Sequence, residues 1–161
     1  MTFKSKRILA GMLAGVAFVA AYLIYALSAA SPDAGDLQAW AIVMLVSLGI
    51  AVASMIVLHI VFHITASIGI AVRERDKSDK DVEKIVEASM AEDEMDKLIS
   101  RKASAVGLAV SGIGFIAMLV SLAFGASALI ALHIMLGALA FGGLVDGGMS
   151  IFYYERGVGS E

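Results

Sequence analysis

Apolar residues fall in four long runs along the chain. Ile8 to Ala30 forms the first, Ala39 to Val72 the second, Ala103 to Phe124 the third and about Ala128 to Tyr154 the fourth. Each supplies the roughly 20 predominantly apolar residues that a helix needs to cross a bilayer. Only Gly125, Ala126 and Ser127 separate the last two runs from a continuous stretch, so those helices are expected to be antiparallel neighbours. The pattern predicts an all-α integral membrane four-helix bundle, up-down-up-down, forming a single membrane domain over residues 1–161.

The second run is too long for its task. As a helix, Ala39 to Val72 would extend about 51 Å, against a hydrocarbon core of about 30 Å. If Trp40 marks the outer surface, ITASIGIAV projects beyond the inner one. There it is expected to pack on the helix leading into the third span or on a second copy of the protein.

The polar positions between the runs set the direction. Lys4, Lys6 and Arg7 precede the first span, and the next connection, SPDAGDLQ, carries Asp33 and Asp36 but no basic residue. Arg73, Arg75, Lys77, Lys80, Lys84, Lys97, Arg101 and Lys102 lie between the second and third spans, and Arg156 follows the fourth. All twelve basic residues thus fall on one side of a four-span arrangement, which the positive-inside rule makes cytoplasmic, with both termini there. Trp40 at the outer end and Tyr153 and Tyr154 at the inner end suit aromatic belts. KSKR followed by an apolar run and ALSAAS has the flavour of a cleavable signal, but the apolar stretch exceeds a typical signal core, so an uncleaved first span is expected.

RERDKSDKDVEKIVEASMAEDEMDKLISRK, covering the cytoplasmic segment 73–102, reads as a short helical excursion. Ser78 with Asp81, and Ser89 with Glu92, have capping-box-like spacing. Val82, Ile85, Val86, Ser89 and Met90 recur at helical period, and Met95, Leu98 and Ile99 start a second helix that runs into the third span. The acids Glu92, Asp93, Glu94 and Asp96 admit a hard-cation reading, but no glycine-bearing loop of calcium-binding form accompanies them. Acids complementing a helix N-terminus explain them more simply. Val82, Ile85, Val86, Asp93 and Asp96 are the candidates for docking a partner.

Composition agrees with the membrane class: 60% hydrophobic, 17% charged, mean hydropathy +0.88. The chain has no cysteine, which excludes disulfides, thiolate metal sites and cysteine nucleophiles. A net charge of -3 argues against direct nucleic-acid binding, which needs a basic footprint.

EDEMDKLISRKAS, then GIGFIAMLVSLAFGASALIALHI, then SIFYYERGVG resembles a family of small uncharacterised four-helix bacterial and archaeal integral membrane proteins with an acidic DE-x-D-x-L-I juxtamembrane motif. The resemblance is strongest from Glu92 to Gly157. It implies a four-span membrane protein and, because some members accompany small transcription regulators, a membrane component of a regulatory pair with such a regulator as cytoplasmic partner. It implies no catalytic residues. VRERD after the second span and YYERG after the fourth echo each other, as a duplicated hairpin would, or as basic punctuation at inner helix ends would.

Gly11 and Gly15, and Gly143 and Gly147, form GxxxG pairs, and Ala140, Gly143, Gly147 and Ser150 make a longer small-residue face. Such faces let helix backbones approach in lipid, within one bundle or in the homodimer expected here.

Only His59, His63, His133 and Asp146 within the spans are readily protonated or metal-binding. No Ser-His-Asp set, phosphate-cradling loop or pair of catalytic carboxylates is present, so no enzyme is expected. Three classes remain: a regulatory or scaffolding protein, a small ion-coupled transporter using Asp146 and the histidines, and a haem or divalent-metal protein. A small multidrug carrier is similar in length but usually needs an acid in the first span, and none occurs. Haem between His59 and His133 is disfavoured, since they lie about 21 and 33 Å from the inner boundary. His63 lies about 15 Å in from Arg73 and Asp146 about 13.5 Å in from Glu155, so the two can meet. With His59 one turn outward, His59, His63 and Asp146 are the candidate metal ligands. They leave a metal under-ligated, so an interhelical hydrogen bond without cofactor is the simpler expectation.

Overall fold

A computed structural model of the protein describes residues 3–73 and 94–157, leaving out the side chains of Phe3, His63, Ala66, Ser67 and residues 69–73. Its described elements are helices: α1 (Phe3–Ala26), α2 (Leu37–Arg73), α3 (Glu94–Ala123) and α4 (Ala128–Arg156). All four are long and apolar enough to cross a membrane. The docking candidates Val82, Ile85, Val86 and Asp93, and both capping-box pairs, lie outside the described residues.

The helix ends follow local chemistry. Ser28 donates its hydroxyl to the Tyr25 carbonyl at 2.7 Å and accepts the Ala30 N–H at 3.3 Å, drawing the backbone out of the helix. The first helix therefore stops at Ala26, short of the Ala30 end of its apolar run. Asp36 caps α2 by accepting the Ala39 N–H at 2.9 Å. From there α2 continues unbroken for 37 residues, about 55 Å.

Between α3 and α4 the chain reverses through a glycine C-cap. Gly125 has φ +84°, the Gly125 N–H reaches the Leu122 carbonyl, and the Ala126 N–H reaches that of Ser121, both at 2.9 Å. That is the paired bonding of a Schellman motif, which needs a left-handed residue after the helix. Ser127 then caps α4 by accepting the Ile130 N–H.

The helices pack unequally. α3 and α4 run against each other along their length, α1 lies against α4, and among the described residues the backbones of α2 and α3 do not come close. The packing of α2 centres on Trp40 and Met44, buried with Tyr22 of α1 and flanked by Ala26, Val43, Leu129, Leu132 and Leu136. Farther along, Ile64 and Ile68 of α2 are exposed. The other side chains of ITASIGIAV, Thr65 aside, lie outside the described residues, and so does the packing expected of that stretch.

Outward-facing positions are strongly apolar, with Leu45 71%, Ile113 67% and Leu108 74% exposed. A surface of that extent is stable only against lipid or protein. Trp40 departs from expectation: at 5% exposure it is turned into the bundle and does not belt the outside.

Candidate functional site

Two polar clusters and one cleft hold the chemistry of the described residues. At one end, the start of α1 meets the start of α3 and the end of α4. The Lys4 ammonium pairs with the Asp96 carboxylate, to which the Tyr154 hydroxyl also donates at 2.8 Å. One turn of helix leads into this contact: Asp96 lies in the first turn of α3, where a carboxylate also complements the helix dipole. Nearby Ser5, fully buried, donates to Glu155 at 3.0 Å. Burial of a charge is tolerated where ion pairing and hydrogen bonding accompany it, as they do at Asp96. Of the docking candidates, Asp96 is the one described. It is 6% exposed and its carboxylate is taken up by contacts within the chain.

At the other end, His133 sits between Tyr22 and Trp40. Its Nδ1 lies 2.9 Å from the Leu129 carbonyl, which only accepts, so Nδ1 carries a proton. In the neutral ring Nε2 is then the acceptor for the Tyr22 hydroxyl at 3.1 Å. The Trp40 ring meets the imidazole edge-on, with centroids 5.1 Å apart. The Trp40 indole N–H is buried without an acceptor among the described residues.

Between these ends α1, α2 and α4 enclose a cleft of about 560 Å³, bordered by Arg7 at one extreme and by Tyr22 and His133 at the other. His59 and Asp146 both line it. Asp146 accepts a hydrogen bond from Ser104 of α3 at 3.3 Å. The His63 side chain lies outside the described residues, so the expected His63–Asp146 pair does too. Among the described residues no group of three or more histidines, cysteines or acids is placed to hold a metal.

The glycines meet different surroundings that their spacing did not distinguish. A Cβ on Gly107 would lie 2.7 Å from the Gly142 carbonyl oxygen and 2.9 Å from the Asp146 Cβ, so α3 and α4 touch backbone to backbone there. A Cβ on Gly147 would meet Met12 of α1 at 2.7 Å. Gly11, Gly15 and Gly143 have nothing within 4 Å of a Cβ position and border the cleft. Ala140, Gly147 and Ser150 of the small-residue face border it as well.

Sequence reasoning missed the Lys4–Asp96–Tyr154 and Tyr22–His133–Trp40 clusters and the Ser104 partner of Asp146. Counting depth along each helix from its basic end would have brought Lys4, Asp96 and Tyr154 to one level, though not to one face. Comparison with family models, curated proteins and solved structures gives no match to this chain.

Proposed function

We propose that the protein is a non-enzymatic regulatory or scaffolding component of the cell membrane, crossing it up-down-up-down with both termini in the cytoplasm, and that the segment between α2 and α3 docks a cytoplasmic protein. The carrying observation is the gathering of the start of α1, the start of α3 and the end of α4 around Lys4, Asp96, Tyr154, Ser5 and Glu155. That end also holds the basic residues of all three helices, which favours its cytoplasmic placement. Asp96 then anchors the root of the docking segment against α1, and Val82, Ile85, Val86 and Asp93 provide its contact face. A small transcription regulator is one partner of suitable kind.

Orientation is tested with single cysteines at Ser31 and Ser78 in this cysteine-free chain. An impermeant thiol reagent applied to intact cells should label only the first, and the reverse pattern overturns the orientation. Docking is tested by a photocrosslinker at Val86 in native membranes. One adduct, identified by mass spectrometry and lost on Asp93→Lys, is expected.

A second reading, an ion-coupled carrier, draws on one observation: His59 and Asp146 border the same cleft. Ionisable groups at such depth are costly and commonly functional. If no Val86 adduct forms and the reconstituted protein carries protons or cations into liposomes in a manner lost in Asp146→Asn, the carrier reading replaces docking.

A further inference from the structure

We infer that the cleft between α1, α2 and α4 is a binding site for one anionic phospholipid, with an acyl chain lying along the cleft and the headgroup phosphate on Arg7. This site is separate from the docking segment and rests only on the chain being a membrane protein. Its volume, about 560 Å³, falls within the roughly 300–1,000 Å³ usual for small-molecule sites. From Arg7 to Tyr22 the cleft runs about 22 Å along α1, enough for a chain spanning one leaflet, about 15 Å of the hydrocarbon core.

The glycines point the same way. Glycine inside a helix costs about 1 kcal/mol relative to alanine. At Gly107 and Gly147 that cost is offset by close contact with another helix; at Gly11, Gly15 and Gly143 no atom of the described residues occupies the space opened. What these three supply is room. An apolar volume of this size left empty would forfeit dispersion contacts along its walls, and in a bilayer the available filler is an acyl chain.

Charge selects the headgroup. Arg7 is half-buried at the mouth of the cleft and has no acidic partner among the described residues, whereas Lys4 is paired with Asp96. A guanidinium presents planar, bidentate hydrogen bonding suited to phosphate. The cleft's carboxylate, Asp146, lies deeper, beside the path of the chain, and takes a hydrogen bond from Ser104. The polar pair at the far extreme, Tyr22 and His133, satisfies itself by its own hydrogen bond and needs nothing from the ligand.

The test is native mass spectrometry of the full chain released from vesicles containing equal parts phosphatidylglycerol and phosphatidylcholine. One retained lipid per chain is expected, with phosphatidylglycerol favoured about tenfold. Arg7→Gln should keep a lipid but abolish the headgroup preference. Gly15→Leu should lower retention about tenfold, while Leu108→Ala, at a position exposed on α3 outside the cleft, should change nothing. Each variant is checked for helix content and monodispersity; if Gly15→Leu does not fold, the Arg7→Gln comparison still decides. Equal retention of the two lipids by the unaltered protein overturns the proposal, as does retention unaffected by Gly15→Leu in a folded protein. So does closure of the cleft by a second copy, seen as a dimer carrying no lipid, or retention of a cationic amphiphile that is lost in Asp146→Asn.

Discussion

The α3–α4 hairpin and α2 are built from similarly apolar sequence, yet they pack in opposite ways. In the hairpin, glycines bring the helices close: Gly107 meets Gly142 backbone to backbone, and Gly114 makes room for the Ala138 methyl. A three-element turn, with Gly125, Ala126 and Ser127 each serving a terminus, holds the pair in register. Among the described residues α2 has no such turn to a packed neighbour, and its contacts with α1 and α4 centre on Trp40 and Met44. Beyond them its cleft-facing residues look across open space at the glycines of α1 and α4. The difference teaches that in lipid apolarity does not draw helices together, because the tails are as apolar as the side chains; shape complementarity and hydrogen bonds must do it.

The sharpest way to break this contrast is to add one side chain to each region. Gly142→Leu should disrupt the α3–α4 contact outright, because its Cβ would meet the Gly107 carbonyl oxygen at 2.7 Å and backbone cannot yield as a side chain end can. A loss of about 3 kcal/mol or more, or failure to fold, is expected in reversible unfolding from detergent micelles, at the upper end of overpacking costs. A neutral outcome would mean that the hairpin is not close-packed.

Next in size is the contact joining α1 to the hairpin. Asp96→Ala removes the acceptor of both Lys4 and Tyr154, and a destabilisation of about 1–3 kcal/mol is expected in the same assay. Lys4→Gln should cost less, about 1 kcal/mol, because the lysine side chain is 34% exposed and partly screened by solvent. A double-mutant cycle showing no coupling between them would dissolve the cluster.

At the α2 contact, Tyr22→Phe should cost about 0.5–1.5 kcal/mol through loss of the hydrogen bond to His133. It should also shift the emission of Trp40, the one tryptophan, which packs on that imidazole. Unchanged emission would separate Trp40 from the pair. The smallest effect is expected at Gly11→Ala, which fills open space. Stability should stay level or rise by up to about 1 kcal/mol from helix propensity, whereas any marked loss would show that α2 closes on α1.

Much of the architecture was legible along the chain, and the reason is solvent. A stretch of twenty or more apolar residues has few alternatives to a spanning helix, since every backbone polar group must be satisfied within it. The four helices, the reversal at Gly125 and the continuation of the helix at Met95, Leu98 and Ile99 into the third span all follow from that rule and from capping chemistry. Periodicity was far less informative about faces. In a helix that is apolar all round, the side meeting lipid and the side meeting a neighbour look alike, so Trp40 was expected at the surface and lies buried.

What the amino-acid sequence determined by itself is therefore one-dimensional: how many helices there are, roughly where each lies, and in what order its ionisable residues follow along it. Tertiary structure alone decided which residues at a shared depth also share a face. It placed Asp96 against Lys4 and Tyr154, Asp146 against Ser104, and His133 between Tyr22 and Trp40. It also set glycines that bring helices together, such as Gly107 and Gly142, apart from others that border open space in the cleft, such as Gly11 and Gly15. The physical reason is that rotation of an apolar helix about its axis costs almost nothing in lipid until specific packing and hydrogen bonds form, and those contacts exist only between helices already assembled.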